Sequence, residues 1–493
     1  MKIFKYPSVA ALALCMVFGC LASCRKFLEE DPKNLVAESN YYTTQDDAIS
    51  AVNSVYAYLG STSTGTTAGV YHSSFWVAIG LASDNMANNQ AGAPDMDQLA
   101  NFTYGPQNAT LLDIWQKHYK TITIANIAIT RIPRIDMDTV LRSRLVNEAR
   151  FLRGLLYFNL VRMFGSVPLL VKEDPPVDPK PASVDDIYNQ ITEDLSAAEA
   201  LPASYPVGNG RGRATSGAAK AILAKVYLTR KNYQQAAALA KEVIDSKQYS
   251  LWADFADVFK LSSRNGKEAI FSVGFGDGGG KISFWEVGQF LVRLLPKELS
   301  AEGVQNAQGW QIPTQALYDS YNPDDQRRTV TFITDVHNSD GSITHIRPYI
   351  RKYWDSAAEP QGNGTANDFP VIRYADVLLM YAEAMNELGN PAVALDYLNQ
   401  VHRRAYGYPV DQPSPVDYTG LSQDALRKAI WQERRWEFVA EGQEWFMLAR
   451  SGTLETAVPL AKPGVTPQQK NYLFPLPQRE LDLNANLKQN TGY

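Results

Sequence analysis

The residues best equipped for chemistry lie in one stretch near the C-terminus, IWQERRWEFVAEGQEWFMLAR at 430–450. Four glutamates recur there at helical spacing and fall near one helix face: Glu433, Glu437, Glu441 and Glu444. A glycoside hydrolase uses a pair of such carboxylates, but the pair needs a cleft and two unlike environments. A regular row of glutamates and arginines on one helix offers neither. We therefore predict a structural helix held by salt bridges, with these neutralising cations: Arg434, Arg435 and Arg450.

Other catalytic, phosphate-binding and metal-binding motifs are missing from the sequence. The run GFGDGGGKIS at 274–283 resembles a phosphate loop, but Phe275 takes the first glycine position and Ile282 the Ser/Thr position. The five histidines show neither HExxH nor another metal-ligand spacing, and there is no GxSxG elbow. All three cysteines fall within the first 24 residues, so the rest of the chain has no thiolate. We predict no catalytic residue, no cofactor and no metal site.

Three loop stretches instead combine aromatic rings with amides, hydroxyls or carboxylates. They are YHSSFWVAIGLASDNMANNQ at 71–90, KISFWEVGQF at 281–290 and NAQGWQIPT at 306–314. A sugar presents an apolar C–H face that suits an aromatic ring, and hydroxyls that suit paired polar groups. We predict that a glycan is bound by residues from these stretches: Trp76, Asp84, Asn85 and Asn88 (with Asn89 beside them), Phe284, Trp285, and Trp310.

The N-terminal segment predicts a lipid anchor. Lys2 and Lys5 precede an apolar run at 8–19, and Leu21-Ala-Ser-Cys24 follows. This end resembles the lipobox of bacterial lipoproteins, in which cleavage precedes the cysteine and its sulfur takes a diacylglycerol. We therefore expect removal of residues 1–23 and lipidation of Cys24, which is then the membrane attachment.

The charge balance excludes one class of partner. The chain has 47 basic and 52 acidic residues and a net charge of −5, whereas nucleic-acid binding needs a basic field. Loss of Lys2 and Lys5 with the signal segment takes the charge to −7, so lipid and not charge must hold the protein to a membrane. The acids after Cys24 resemble the surface-export signal of Bacteroidetes lipoproteins. Arg25 and Lys26 come first, however, which leaves retention on the inner leaflet open.

The scaffold that positions these loops is predicted to be mostly helical. Thr44 with two following acids opens a helix that Gly60 ends, and a long helix runs from about 139 to 164 and ends at Gly165. A third helix opens at Ser183 and runs to Leu201.

Two helical hairpins resemble tetratricopeptide repeats. The first is AAKAILAKVYLTRKNYQQAAALAKEVIDS at 218–246, and a partial copy is YAEAMNELGNPAVALDYLNQV at 381–401. Setting Ala224 on Ala382 also sets Ala236 on Ala394. Because two distant copies do not make a regular solenoid, we expect hairpins embedded in a larger fold. Ordinary packing of alanine-rich helices is the alternative for each.

The middle of the chain, about 259–370, differs in composition. It contains GFGDGGG, HNSDGS and EPQGNGTAND between short β-like runs such as Ala269–Val273. Long irregular loops on a rigid scaffold commonly carry binding residues. The predicted fold is therefore mostly α, with tetratricopeptide-like hairpins supporting a loop-rich face and a few short β elements.

Several stretches together resemble the SusD/RagB family of outer-membrane nutrient-binding lipoproteins of Bacteroidetes. They are EARFLRGLLYFNLVRMFGSVPLL at 148–170, NDFPVIRYADVLLMYAEAMNELG at 367–389, ERRWEFVAEGQEWFMLAR at 433–450 and the ending YLFPLPQRELDLNANLKQNTGY at 472–493. The resemblance covers the chain from Cys24 to Tyr493. It implies a signal peptide at 1–23, an N-terminal SusD-like helical part at 24–258, and a C-terminal part at 259–493 that carries the ligand loops.

The same resemblance implies a function. It implies non-catalytic capture of an oligosaccharide or polysaccharide at the outer membrane, on the side facing the cell exterior, and handover to a SusC-like TonB-dependent transporter. Two alternatives stay open: a tetratricopeptide-like lipoprotein that binds peptide or protein, and a glycoside hydrolase. The glycan itself is not identified by the sequence.

Overall fold

The computed structural model describes residues 42–61, 68–205, 212–276, 287–304, 306–355 and 365–493, and it is predominantly helical. The α-helices are α1 Gln45–Gly60, α2 Ser74–Leu81, α3 Pro94–Asn101, α4 Ala109–Arg131, α5 Thr139–Phe164, α6 Val184–Ala198, α7 Ser216–Thr229, α8 Tyr233–Asp245, α9 Phe290–Leu294, α10 Gln315–Asp319, α11 Gln326–Thr331, α12 Tyr374–Glu387, α13 Pro391–Ala405, α14 Gln423–Glu437, α15 Glu444–Ser451, α16 Leu454–Ala461 and α17 Gln478–Leu483. The strands are β1 Met86–Asn88, β2 Ala269–Val273, β3 Gln311–Pro313, β4 Phe332–His337, β5 Ile343–Ile350 and β6 Phe369–Arg373. The mostly helical fold class is confirmed.

Helix ends that a cap or a glycine fixes agree with the sequence. The Thr44 hydroxyl accepts from the Asp47 N–H and the Asp47 carboxylate accepts from the Thr44 N–H, which is the capping box that opens α1. Helix α5 covers Thr139–Phe164 as predicted, and Gly165 follows it with a φ of 74°. Ser183 caps α6, but α6 ends at Ala198, before the predicted Leu201.

The helices form one continuous array that the chain enters twice. Helices α4, α5, α6, α7 and α8 each pack on the next along the sequence. After α8 the chain leaves the array, builds the strand-containing middle, and returns as α12, which packs directly on α8 and leads into α13 and α14. The two tetratricopeptide-like hairpins, α7–α8 and α12–α13, are therefore neighbours in space. Helices of the array come from both sides of residue 258 in the sequence. The predicted division of the chain into parts 24–258 and 259–493 therefore stays a prediction.

Small side chains allow the close approach within these hairpins. Ala224 and Ala236 are fully buried in the first hairpin, and Ala382 and Ala394 are fully buried in the second. An alanine at a helix contact lets two backbones come closer than a branched side chain would. The four alanines that match when the two hairpin sequences are aligned are therefore all core residues.

The strands form small antiparallel sheets around the middle of the chain. In the described residues the pairs are β1 with β3, β2 with β6, and β4 with β5. The segment from α9 to β5, which we call the loop lobe (residues 287–304 and 306–350), has its own small apolar core that includes Leu299, Ile312 and Tyr349. The lobe is therefore a packed unit mounted beside the helical array and not an open loop.

Candidate functional site

The prediction of one helix carrying all four glutamates is wrong, because α14 ends at Glu437 and Glu444 opens α15. Glu444 accepts from the backbone N–H groups of Ala440 and Gln443, and burial raises its pKa to about 7.

Glu433 and Glu437 on α14, and Glu441 after it, are buried and ion-paired. Arg327 Nη1 donates to Glu433 Oε1 at 2.6 Å and to Glu437 Oε2 at 3.0 Å. Arg373 Nε donates to Glu441 Oε2 at 2.9 Å, and Arg404 Nη2 also donates to Glu437. Burial alone would raise the pKa of Glu437, but the surrounding guanidinium groups hold that pKa well below its usual range. Carboxylates held ionised in this way are poor general acids, which argues against a hydrolase built on α14.

The predicted cations of this helix were wrong. Arg434 Nη2 donates to Asp376 Oδ1 at 2.7 Å, and Arg450 Nη2 donates to Glu383 Oε2 at 2.6 Å. Arg435 turns away toward the 84–85 segment. The cations that do neutralise the row come from distant elements, because the inward face of α14 meets α11, β6 and α13 and not its own neighbours.

Trp76 lies in the core, which corrects its prediction as a glycan-binding residue. Its side chain is 1% exposed. The indole stacks on Phe290 at 5.3 Å between ring centroids, and Nε1 donates to the His72 carbonyl oxygen at 3.3 Å. A sugar needs an open ring face, and burial within α2 removes it.

Asp84 and Asn85 are buried as well, and both serve an internal contact. Arg435 Nη2 lies 2.9 Å from Asp84 Oδ2, and Arg435 Nε donates to Asn85 Oδ1 at 2.8 Å. The backbone of the same two residues accepts hydrogen bonds from Thr314. These contacts link α14 to the start of the β1–β3 sheet. Asp84 and Asn85 also line a cavity of about 290 Å³, so their role as ligand contacts stays a prediction.

The structure does bring two of the three predicted stretches together. Strands β1 and β3 pair antiparallel, with Asn88 opposite Gln311. Asn89 N–H donates to the Trp310 carbonyl oxygen at 2.7 Å, and Asn89 Nδ2 donates to the Gly309 carbonyl oxygen at 3.0 Å. Asn89 is exposed, and Asn88 and Trp310 are half-buried. These residues form one polar and aromatic edge on the loop lobe.

Arg293 holds the indole of this edge. Its guanidinium carbon lies 5.2 Å from the Trp310 ring centroid, which is cation–π geometry. Burial lowers the pKa of Arg293 to about 10. Its Nε is buried and bonded to no partner among the described residues. The pair fixes the orientation of Trp310 and leaves a donor beside it.

A groove of about 620 Å³ opens nearby along β4 and the turn Lys297–Glu302. Two half-buried rings line it, Tyr318 and Trp354, and each has an arginine over its face. Arg328 lies 4.4 Å from the Tyr318 centroid and Arg351 lies 5.1 Å from the Trp354 centroid. Asp335 and Glu302 add hydrogen-bond acceptors to the walls. The groove thus repeats the arginine–aromatic arrangement found at Trp310.

Sequence reasoning missed this groove. Its signal was the short run RKYWD at 351–355, which places two basic residues and an indole directly before the glycine- and asparagine-rich run at 359–368. Phe284 and Trp285, which the sequence did single out, lie outside the described residues. So does the predicted lipidation site, Cys24.

The described part of the chain offers neither a metal-binding cluster nor a membrane-spanning helix. No group of three or more His, Cys, Asp or Glu residues there is arranged to hold a metal ion. Nor does any helix within those residues have both the length and the apolar character needed to span a bilayer.

Sequence profiles of two families match this chain. A profile described as "SusD family" matches residues 325–493, and one described as "Starch-binding associating with outer membrane" matches residues 26–228. Residues 229–324, which carry Trp285 and Trp310, lie between the two matches. Of the candidate ligand contacts, Arg293, Trp310 and Tyr318 lie in the part that neither profile covers, whereas the others lie inside the matched ranges: Asn88, Asn89, Arg328, Arg351 and Trp354.

Whole proteins also match along their full length. SusD-like protein P2 of Formosa agariphila is 30% identical over 99% of this chain and 100% of its own. SusD-like protein P25 of the same organism is 28% identical over 97% and 98%. Among solved structures, a laminarin-binding SusD-like protein superposes with a TM-score of 0.75 at 26% identity, covering 92% of this chain and 100% of its own. Surface glycan-binding protein A from Bacteroides fluxus shares the fold, with a TM-score of 0.77 at 24% identity and coverage of 92% and 100%.

Proposed function

The chain belongs to the SusD/RagB family, and on that premise we propose that it captures an oligosaccharide or polysaccharide at the cell surface without cleaving it. Lipid on Cys24 anchors it to the outer membrane, facing the cell exterior. The bound glycan then passes to a TonB-dependent transporter of the SusC type.

The observation that carries the proposal is the repeated arginine–aromatic pair on and beside the loop lobe. The pairs are Arg293 with Trp310, Arg328 with Tyr318, and Arg351 with Trp354. In each pair the ring offers a flat apolar surface, and the guanidinium offers donors for hydroxyl groups. Because each arginine already fixes its ring, little side-chain entropy is lost when a sugar binds.

Relatives support the same ligand class. One solved relative is named a laminarin-binding SusD-like protein, and the profile that matches residues 26–228 is described as starch-binding. The β1–β3 edge adds Asn88 and the exposed Asn89, whose side chains can contact hydroxyls beside Trp310. We infer that the edge and the groove together hold successive sugar units of one chain.

Affinity electrophoresis tests the proposal. The soluble form beginning after Cys24 is run through native gels cast with a panel of polysaccharides, and the same mixtures are assayed for new reducing ends. We expect retardation by one polysaccharide with no new ends. Trp310→Ala and Trp354→Ala should abolish or strongly reduce the retardation.

Trp252→Ala is the matched control. Trp252 is also half-buried with a cation over its ring, since Lys267 Nζ lies 4.7 Å from the centroid, but it lies outside the loop lobe. This variant should bind like the wild type. New reducing ends would favour the hydrolase alternative. Retardation that persists in both Trp310→Ala and Trp354→Ala would move the site elsewhere on the scaffold.

A further inference from the structure

A second cavity lies inside the helical array and is surrounded by basic side chains. It has a volume of about 270 Å³ and is lined by α5, α7, β6 and the segment from Glu441 to Arg450. Several lining residues are only half-buried, among them Tyr188, Thr229 and Met447, so the cavity reaches solvent at that edge. Four cations line it: Arg162, Lys225, Arg434 and Arg450.

Two carboxylates balance part of this charge. Asp376 Oδ2 lies 2.6 Å from Lys225 Nζ, and Asp376 Oδ1 accepts from Arg434. Glu383 accepts both hydrogen bonds of Arg450. The carboxylate that lines the cavity, Glu441, accepts from Lys352 and from Arg373, and Arg373 also bonds Glu437 and Glu268. Of the four lining cations, Lys225 and Arg434 share Asp376, and Arg450 pairs with Glu383, so these cations carry more positive charge than the two carboxylates balance.

Arg162 is the lining cation that has no carboxylate partner among the described residues. Its Nε donates to the Phe158 carbonyl oxygen at 2.9 Å and its Nη2 donates to Asn159 Oδ1 at 2.8 Å. The guanidinium carbon lies 3.7 Å from the Phe158 ring centroid and 3.8 Å from that of Phe446. Burial lowers the pKa of Arg162 to about 10 and, with Asp376 opposing, that of Lys225 to about 8. The rings hold Arg162 in place but supply no negative charge.

Two buried donors at this cavity have no partner within the described residues. Arg434 is 6% exposed, and its Nη1 is unpaired. Gln443 accepts at Oε1 from Lys225 at 3.1 Å and from Arg434 at 3.2 Å, while its Nε2 is unpaired. Both residues line the cavity. An unpaired buried donor destabilises the folded state, and an unbalanced buried charge does so more strongly.

We propose that this cavity is a binding site for a small oxyanion, held by Arg162, Lys225, Arg434 and Gln443. An oxyanion supplies the missing negative charge and accepts from the unpaired donors at once. The chemistry fits a free sulfate or phosphate ion and equally the carboxylate of a small sugar acid. The site is separate from the glycan-binding lobe and does not depend on the proposed function.

The test uses the full-length chain purified in detergent. Sodium sulfate or phosphate is titrated at constant ionic strength, with chloride as the balancing salt, and binding is followed by calorimetry and by the thermal midpoint. Wild-type protein should show a saturable rise in midpoint, since a ligand that binds only the folded state stabilises it. Glucuronate is the second arm: competition with sulfate would indicate a sugar acid, and no competition a free ion.

Arg162→Gln is the decisive variant because it removes a cation without breaking an ion pair. It should weaken sulfate binding about tenfold to a hundredfold, as expected for loss of a charged hydrogen bond. Lys225→Met should act in the same direction. Arg142→Gln is the matched control and should bind like the wild type, because Arg142 lies near the start of the same helix α5, away from the cavity lining, and its Nη2 donates to the Met137 carbonyl oxygen at 3.2 Å.

Two results would overturn the site. Sulfate stabilises many proteins by exclusion from their surface, and that effect rises without saturation. A non-saturating rise that is equal in wild type and variants would mean that no site exists. Saturable binding that is unchanged in both Arg162→Gln and Lys225→Met would mean that the anion binds elsewhere.

Discussion

Arg373 bonds both the side chain and the backbone of Glu437. Nη1 donates to Glu437 Oε1 at 2.5 Å, and Nη2 donates to the Glu437 carbonyl oxygen at 2.8 Å. The two residues are 64 positions apart, and both side chains are buried. The contact ties the start of α12 to the end of α14, and Glu268 joins it through Arg373 and Arg404. A charged network thus locks the returning part of the chain onto the middle.

Breaking this network from one side should destabilise the whole protein. Arg373→Met removes a positive charge that compensates the buried carboxylates of Glu437 and Glu441. Removal of one partner from a buried ion pair costs about 3–5 kcal/mol. Urea unfolding followed by circular dichroism measures the loss. Arg230→Met is the surface control, since its partner Asp185 is 75% exposed there, and it should change stability by less than about 1 kcal/mol. Equal effects would contradict a structural role for the network.

His118 should make the fold sensitive to acid. It is fully buried, with Nδ1 2.7 Å from the Ile114 carbonyl oxygen, and burial lowers its pKa to about 4. Between that value and the unfolded value of about 6.5 the unfolded chain binds more protons, so stability falls as the pH falls through this window. The loss attributable to His118 is up to about 3 kcal/mol.

Chemical unfolding measured from pH 8 to pH 4 checks whether stability falls as the pH falls. His118→Asn should reduce the slope of the unfolding free energy against pH between pH 6.5 and pH 4. This holds whatever stability the substitution loses at pH 7. Above pH 7 the free energies of unfolding of the two proteins should change with pH in parallel, because His118 is neutral in both the folded and the unfolded state. An unchanged slope below pH 6.5 would show that other groups set the acid sensitivity.

Gly309 and Gly303 form a matched pair for testing the lobe. Both have positive φ, 57° and 85°, so alanine is strained at either position by about 1–2 kcal/mol. A Cβ at Gly309 would lie 2.5 Å from Tyr349 Cε1, whereas a Cβ at Gly303 would meet nothing within 4 Å. Overpacking adds about 1–3 kcal/mol at Gly309 alone.

We expect Gly309→Ala to lower stability more than Gly303→Ala and to weaken glycan retardation by displacing Trp310. Urea unfolding and affinity electrophoresis measure the two effects. Identical behaviour of the two variants would mean that the Gly309–Tyr349 contact does not position Trp310.

Cys24→Ala should abolish lipid attachment. The thiol is the predicted acyl acceptor, so the variant cannot take the lipid that is proposed to anchor the protein. Labelling cells with a clickable fatty acid and fractionating their membranes measures the change. Cys20→Ala, within the same segment, should keep both label and membrane association. Protease treatment of intact cells then reports whether the anchored protein faces outward.

The sequence by itself determined the helix ends and hairpins that depend on neighbouring residues in the chain. The cap at Thr44 and the glycine after Phe164 act within one helical turn, so α1 and α5 have the predicted ends. The alanine spacing likewise identified both hairpins. The polar and aromatic composition of 306–314 pointed to Trp310 as a surface residue, and the fold leaves it half-buried.

Tertiary structure decided what depends on distant contacts. Burial of Trp76, the choice of Arg373 over Arg434 as partner for Glu437, and the packing of α8 on α12 each join residues far apart in the chain. A residue's type and spacing fix its local geometry, but its exposure and its ion-pair partner are set by which elements meet across the fold. The sequence thus predicted a kind of ligand surface, and packing decides which of the predicted residues are exposed and which are buried.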